Sequence, residues 1–293
     1  TVFSPDPINA GLGNAVRDAA FYYMVKNDTT VRGNVLTELL AQVAEAGVQF
    51  GDGSRWCVGA FNQDSFFRPA QWVAKIMLAY DYLMAGDAQW GNGPISGGNQ
   101  TTLETWILNT GNYFEAVNHT TLSLYVTNRK SDSTFQAVYT LTSEGTNRCT
   151  NDWIINSHTL IPYYGGTAMK IHPADWNNRQ TAMMEPYGLA GIILNNATLK
   201  LEAKRYFTEY IRFGTFADGI TNDLAKNGEF DYCCPNDLMA YGPGTWGILA
   251  IVVDAFARNG DTSLYEYSTS TGNCGTAGGP KNFLLVATNL AKY

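Results

Sequence analysis

The residues best equipped for chemistry stand in a row, Trp176-Asn177-Asn178-Arg179-Gln180, where a polar loop hands over to a long apolar helix. Two adjacent amides and a guanidinium placed after a tryptophan form a grip for an acidic, ring-shaped ligand, because amide and guanidinium N–H groups donate to a carboxylate. Further along, Lys226 sets a cation six residues before the phenol of Tyr232. These residue types suit abstraction of a proton next to a carboxylate. The carbanion formed there piles charge onto the carboxylate, so donors must neutralise it, a base must take the proton and the leaving oxygen must be protonated. Asn177, Asn178 and Arg179 can supply the first requirement, and the loop carrying Lys226 and Tyr232 the rest.

Each of these residues also has a plainer role open to it. Asn177 and Asn178 can cap a helix beginning near Gln180, a common task for asparagine. Arg179 and Lys226 can be solvated surface charges, and Tyr232, beside Cys233-Cys234-Pro235, can be held in place by a disulfide. Tyr241 competes for the same task as Tyr232, since Tyr241-Gly242-Pro243-Gly244 reads as a turn that would expose its hydroxyl. His158 and His172, taken singly, are more often structural or surface residues than catalytic ones. Trp56, Gln63 and Arg68 can line a cleft as sugar-stacking and hydrogen-bonding groups, although Phe66-Phe67-Arg68 equally suits the start of a core helix.

Other chemistries leave weaker traces. There is no G-x-S-x-G elbow, no phosphate-binding G-x-x-x-x-G-K-[ST] loop and no H-E-x-x-H. His119, His158 and His172 are the three histidines, too scattered for a metal site unless distant loops converge, so no metal and no cofactor are expected. Glycoside hydrolysis needs two carboxyls flanking the bond, and Asp64, Asp81, Asp152, Glu185, Asp218, Asp223 and Glu229 are available without any pair standing out. A non-catalytic carbohydrate-binding protein would use the aromatic loops alone.

The elements that must position these groups follow from composition and periodicity. Over 293 residues only 15% are charged and 13% are aromatic, a globular balance with spare aromatic faces for carbohydrate. The net charge of -7 argues against nucleic acid, and no apolar run is long enough for a membrane span. Thr1 in place of Met suits a secreted form that has lost a signal peptide, and sequons at Asn27, Asn99, Asn118 and Asn196 are compatible with a glycoprotein. The five cysteines, Cys57, Cys149, Cys233, Cys234 and Cys274, fit no zinc spacing and allow two disulfides, with Cys233 or Cys234 joined to Cys274 as one of them.

Apolar positions at helical spacing predict helices over 8–25 and 30–47, joined by the turn Lys26-Asn27-Asp28. Further helices are expected over 69–84, 101–117, 180–194, 198–213, 237–258 and 281–292, with a short one in 151–163. Residues 48–66 and 214–235 read as loops, and 118–150 as a hairpin or extended segment. Pro186 should bend its helix or delay its start. Helical hairpins with long aromatic loops on one side suggest a single all-α domain over 1–293, an α/α toroid or incomplete barrel of hairpins with one small β-hairpin.

The order of motifs resembles the alginate-lyase type of polysaccharide lyase with an α/α toroid. The resemblance runs over roughly residues 100 to 260: the helix from Trp106 to Asn118, then Asn177-Asn178-Arg179, a buried helix, Asp218-Gly219-Ile220-Thr221-Asn222-Asp223-Leu224-Ala225-Lys226, Tyr232, and Ala255-Phe256-Ala257-Arg258-Asn259-Gly260. That family carries Asn-Asn-His at a helix start, a D-G segment with an E-L-x-R core, a Tyr beyond the Arg and a helix ending A-x-x-N-G. The resemblance implies that Asn178 neutralises a uronate carboxylate and that Tyr232 acts as base, acid or both. Arg179 stands where the family has His and Lys226 where it has Arg, so a syn elimination by Tyr232 becomes the natural course unless His158 or His172 supplies a base. The expected partner is an acidic polysaccharide such as alginate or glucuronan, acted on by a secreted monomer, with Trp176, Asn177, Trp56, Gln63, Arg68 and Tyr241 lining the sugar sites.

Overall fold

The computed structural model describes residues 10–47, 63–123, 178–215, 219, 221, 238–270 and 280–291. Among these the chain is mostly helical: α1 (Ala10–Lys26), α2 (Thr29–Gly47), α3 (Gln63–Trp90), α4 (Gly97–Ser123), α5 (Asn178–Ile193), α6 (Ala197–Phe213), α7 (Leu238–Arg258), the single turn α8 (Ser263–Glu266) and α9 (Phe283–Leu290). One antiparallel two-stranded ladder, β1 (Ser268–Thr269) with β2 (Lys281–Asn282), sits between α8 and α9. No helix among the described residues is long and apolar enough to cross a membrane.

Contacts divide the chain into two compact units, Thr1–Ala116 with Ala182–Ala203, and Val117–Thr181 with Lys204–Tyr293. In the first unit α1 packs chiefly against α3. The approach is close because Gly86 has no side chain: a Cβ there would lie 2.6 Å from the Tyr23 ring. Val16, Ala20 and Tyr23 of α1 are buried, as are Val73, Met77, Tyr80 and Leu83 of α3, the i, i+3, i+4 spacing that makes one apolar stripe per helix. Trp72 and Trp106 meet edge to face at 6.2 Å.

Two helical hairpins use the same local chemistry. At the end of α1, Asn27 takes φ 55°, and the Asp28 carboxylate then accepts from the N–H groups of Thr30 and Val31 at 3.0 and 3.1 Å. Between α5 and α6, Asn195 takes φ 51°, and Asn196 Oδ1 accepts from the N–H of Leu199 at 3.0 Å. A left-handed asparagine ends one helix and an oxygen-bearing side chain caps the next.

In the second unit the core is aromatic. Phe283 stacks on Trp246 with ring centroids 5.0 Å apart and leans on Phe207 at 5.9 Å, while Leu249, Val252, Val253 and Phe256 line the buried side of α7. Asn282 Oδ1 caps α9 through the N–H of Leu285 at 2.8 Å.

Several boundaries differ from expectation. Helix α3 starts at Gln63 and runs to Trp90, so Pro69 lies inside it rather than at its start, and residues 63–66 are helical, not loop. Helix α4 runs from Gly97 to Ser123, which turns 118–123 from expected hairpin into helix. Helix α5 starts at Asn178 and keeps Pro186 within it. Tyr241 to Gly244 lie inside α7, not in a turn. The ladder at 268–269 and 281–282 was not anticipated, and it shortens the last helix to 283–290.

Candidate active site

The structure gives Asn178 a definite place. It is the first residue of α5, only 6% exposed, and its amide oxygen is buried without a hydrogen-bond partner among the described residues. A side-chain cap would spend that oxygen on a backbone N–H of its own first turn, and it does not. An orphaned buried acceptor costs about 1–3 kcal/mol, so the position keeps a polar group at the expense of stability.

Helix α5 surrounds this amide with positive potential. The first four N–H groups of any helix lack intrahelical acceptors, and the helix dipole concentrates about half a positive charge there. No acidic residue stands in the first turn of α5 to neutralise it, and Arg179 follows at once. Such an end attracts anions.

Further buried polar groups lie in and against the first turn of α5. Asn118 of α4, 1% exposed, donates its amide to the Gln180 carbonyl at 3.3 Å. Thr181 Oγ1 and the Tyr206 hydroxyl share a hydrogen bond of 2.9 Å, and the rings of Tyr206 and Tyr210 lie 6.4 Å apart. Gln180, Thr181, Tyr206 and Tyr210 are all 0% exposed. The carbonyl and hydroxyl bonds tie the first turn of α5 to α4 and α6. Sequence reasoning missed these bonds: it marks Asn118 as a sequon and as a helix end, whereas the residue is only 1% exposed, with no open face for a glycan.

Other expected site residues fall as follows. Arg179 is the second residue of α5, Gln63 and Arg68 lie in the first two turns of α3, and Tyr241 lies in the first turn of α7. Trp56, His158, Trp176, Asn177, Lys226 and Tyr232, like all five cysteines, lie outside the described residues.

A second polar feature belongs to the first unit. Glu185, 5% exposed on α5, has its carboxyl pushed up to about 8 by burial, against the opposing pull of the Lys75 and Arg17 charges. Lys75 is shifted the other way, downward, by burial and then by Arg17. A carboxyl that holds its proton to such a pH can donate it. Set against protein-family models, curated proteins and solved structures, the chain matched none of them.

Proposed function

We propose that the chain is a secreted polysaccharide lyase built as an α/α toroid, cleaving a 1,4-linked uronate polymer of the alginate or glucuronan kind by β-elimination. What supports this is one observation: Asn178 opens α5 with Arg179 beside it and no acidic residue in that turn, so its amide NH2 and the first-turn N–H groups are donors suited to a carboxylate, while its buried oxygen can only accept.

In this mechanism Asn178 and Arg179 hold the uronate carboxylate and stabilise the charge that builds on it when C5 loses its proton. The Tyr232 phenolate takes that proton, and Lys226 keeps the phenolate accessible by its positive charge. The electron pair left at C5 forms the C4–C5 double bond as the C4–O bond breaks. Tyr232 then returns its proton to the leaving oxygen. His158 is the alternative base for a uronate whose proton lies on the opposite face. Trp176, Asn177, Trp56, Gln63, Arg68 and Tyr241 are assigned to the flanking sugars, and no step calls for a metal or cofactor.

The test is a panel of polymannuronate, polyguluronate, glucuronan and polygalacturonate, followed by ultraviolet absorbance of the unsaturated product. Absorbance growing with at least one polymer is expected; silence with all of them across pH sinks the proposal. Glu185 favours a second reading, glycoside hydrolysis with that carboxyl as proton donor. New reducing ends without the unsaturated chromophore would select it, and binding without cleavage would select a carbohydrate-binding protein.

A further inference from the structure

Of the four sequons, one stands where the fold can carry a glycan. An oligosaccharide on the asparagine amide nitrogen is bulky and hydrated, so the position that bears it must face solvent in the folded chain. Asn118 fails, since it is 1% exposed and its amide nitrogen donates to the Gln180 carbonyl at 3.3 Å. Asn99 is half-buried in the first turn of α4. Asn196 is half-buried as well, and its Oδ1 caps α6 through the Leu199 N–H at 3.0 Å. Asn27-Asp28-Thr29 differs from these three: it joins α1 to α2, and Asn27 is exposed.

The turn also holds the Asn27 amide in a usable state. Its φ of 55° is a left-handed conformation that asparagine adopts more readily than most side-chain-bearing residues. Its Oδ1 accepts from Asn92 Nδ2 at 2.7 Å. Asn92 donates as well to the Tyr23 hydroxyl at 2.8 Å, which is itself bonded to the buried Asp87. The oxygen is thus engaged by a network rooted in the core, while no acceptor among the described residues takes the Asn27 amide nitrogen. An N-linked amide keeps its carbonyl oxygen, so the bond from Asn92 survives attachment. Exposed apolar surface borders the turn: Val25 is 48% exposed and Trp90 39%, with Trp90 Nε1 donating to the Met24 carbonyl at 2.8 Å. A sugar ring lying over these groups removes apolar surface from water.

We infer that Asn27 is the N-glycosylation site of this chain, selected over the other three sequons by its exposed turn. In the linkage step Asn27 Nδ2 attacks C1 of the first N-acetylhexosamine of a polyprenyl-diphosphate-linked oligosaccharide. The N–C1 bond forms, the C1–O bond breaks, the diphosphate leaves with that electron pair, and the nitrogen gives one proton to a base of the transferase. The inference rests on the secretion proposed above and not on the lyase activity. In the experiment the whole chain is expressed behind a secretion leader in a glycosylating eukaryotic cell. Protein from the medium is treated with peptide N-glycosidase in heavy-oxygen water, which turns each occupied asparagine into labelled aspartate, read by peptide mass spectrometry. Label should appear at position 27 in most molecules and be absent from position 118. Thr29→Ala, which removes the sequon and keeps Asn27 in its turn, should lose one glycan's mass from the intact protein and keep the far-ultraviolet dichroism of wild type. If Thr29→Ala is not secreted, the wild-type labelling decides alone. An unlabelled Asn27, more label at Asn99 or Asn196 than at Asn27, or label at Asn118 in folded protein overturns the assignment. Export by the native cells is read separately, from the presence of the chain in their medium; its absence there fails the secretion reading, while labelling in the expression host still decides which sequon the fold selects.

Discussion

Two buried polar groups in this molecule are handled in opposite ways. Asp87, 5% exposed at the end of α3, is saturated from within the chain: the Tyr23 hydroxyl donates to it at 2.6 Å, and the Arg32 guanidinium donates through two nitrogens, both at 2.6 Å. Asn92 donates in turn to the Tyr23 hydroxyl at 2.8 Å and to Asn27 Oδ1 at 2.7 Å. Burial, with the Asp87 hydrogen bond next, raises the Tyr23 hydroxyl above its ordinary range, so the donor stays protonated. Asn178 is buried to the same degree, yet its oxygen has no hydrogen-bond partner among the described residues. A polar group whose partners all come from its own chain fastens the fold; an acceptor without one contributes no such bond.

The largest expected effect breaks the closed side of this comparison. Asp87→Ala strands the Arg32 charge and the Tyr23 hydroxyl, so stability should fall by about 3–5 kcal/mol, read from urea unfolding midpoints. Loss of under about 1 kcal/mol would mean that the cluster behaves as an exposed ion pair.

Next comes Glu185, which sharpens the contrast because it is buried and charged neighbours alone oppose its burial. Its folded carboxyl binds its proton up to about 8 instead of the ordinary 4.5. Its contribution is therefore fully present below the ordinary value and is lost as pH rises to the folded one, by a few kcal/mol as an order of magnitude. Glu185→Gln should flatten this decline and be the more stable protein above pH about 8. Parallel wild-type and variant melting curves from acid to alkaline pH would contradict it.

On the open side, Asn178→Leu removes a buried acceptor without a hydrogen-bond partner among the described residues, so its unfolding free energy should rise by up to about 1–3 kcal/mol; a large loss would show that the amide serves the fold. The smallest effect is expected at the partly exposed pair of Lys204 and Asp261. There Lys204, then Ser263, holds the Asp261 carboxyl below its ordinary range, so its contribution exists above that range and is lost as pH falls. Asp261→Asn should cost about 0–1 kcal/mol at neutral pH and nothing in strong acid.

How much of this was legible in the sequence depended on the range of the interactions. Helices α1 and α2 and the turn between them were readable, because apolar spacing and the Asn27-Asp28 signal are local. Punctuation misled where tertiary packing outweighed it. Pro69 suggested a helix start but lies inside α3, Gly86 lies past the expected end at residue 84 yet is inside α3 as the contact point for Tyr23, and the glycines around Tyr241 suggested a turn within what is helix α7. The two-residue strands are too short to show any alternation. Asn178 was legible as a polar residue at a helix start, but its orphaned oxygen was not, since that depends on what α4 and α6 leave unpaired. The Asp87 cluster was invisible because Asp87 lies 64 residues from Tyr23 and 55 from Arg32 in sequence.

The central claim is that the Asn178 amide awaits a uronate carboxylate. It is tested most directly by comparing initial rates of chromophore formation by wild type and Asn178→Ala on one polyuronate, alongside their unfolding curves. The account predicts a loss of about 10²- to 10³-fold in kcat, the usual size for removing one charge-stabilising donor, with the unfolding curve nearly unmoved. Equal rates, or a rate loss matched by a collapse of stability, would contradict it.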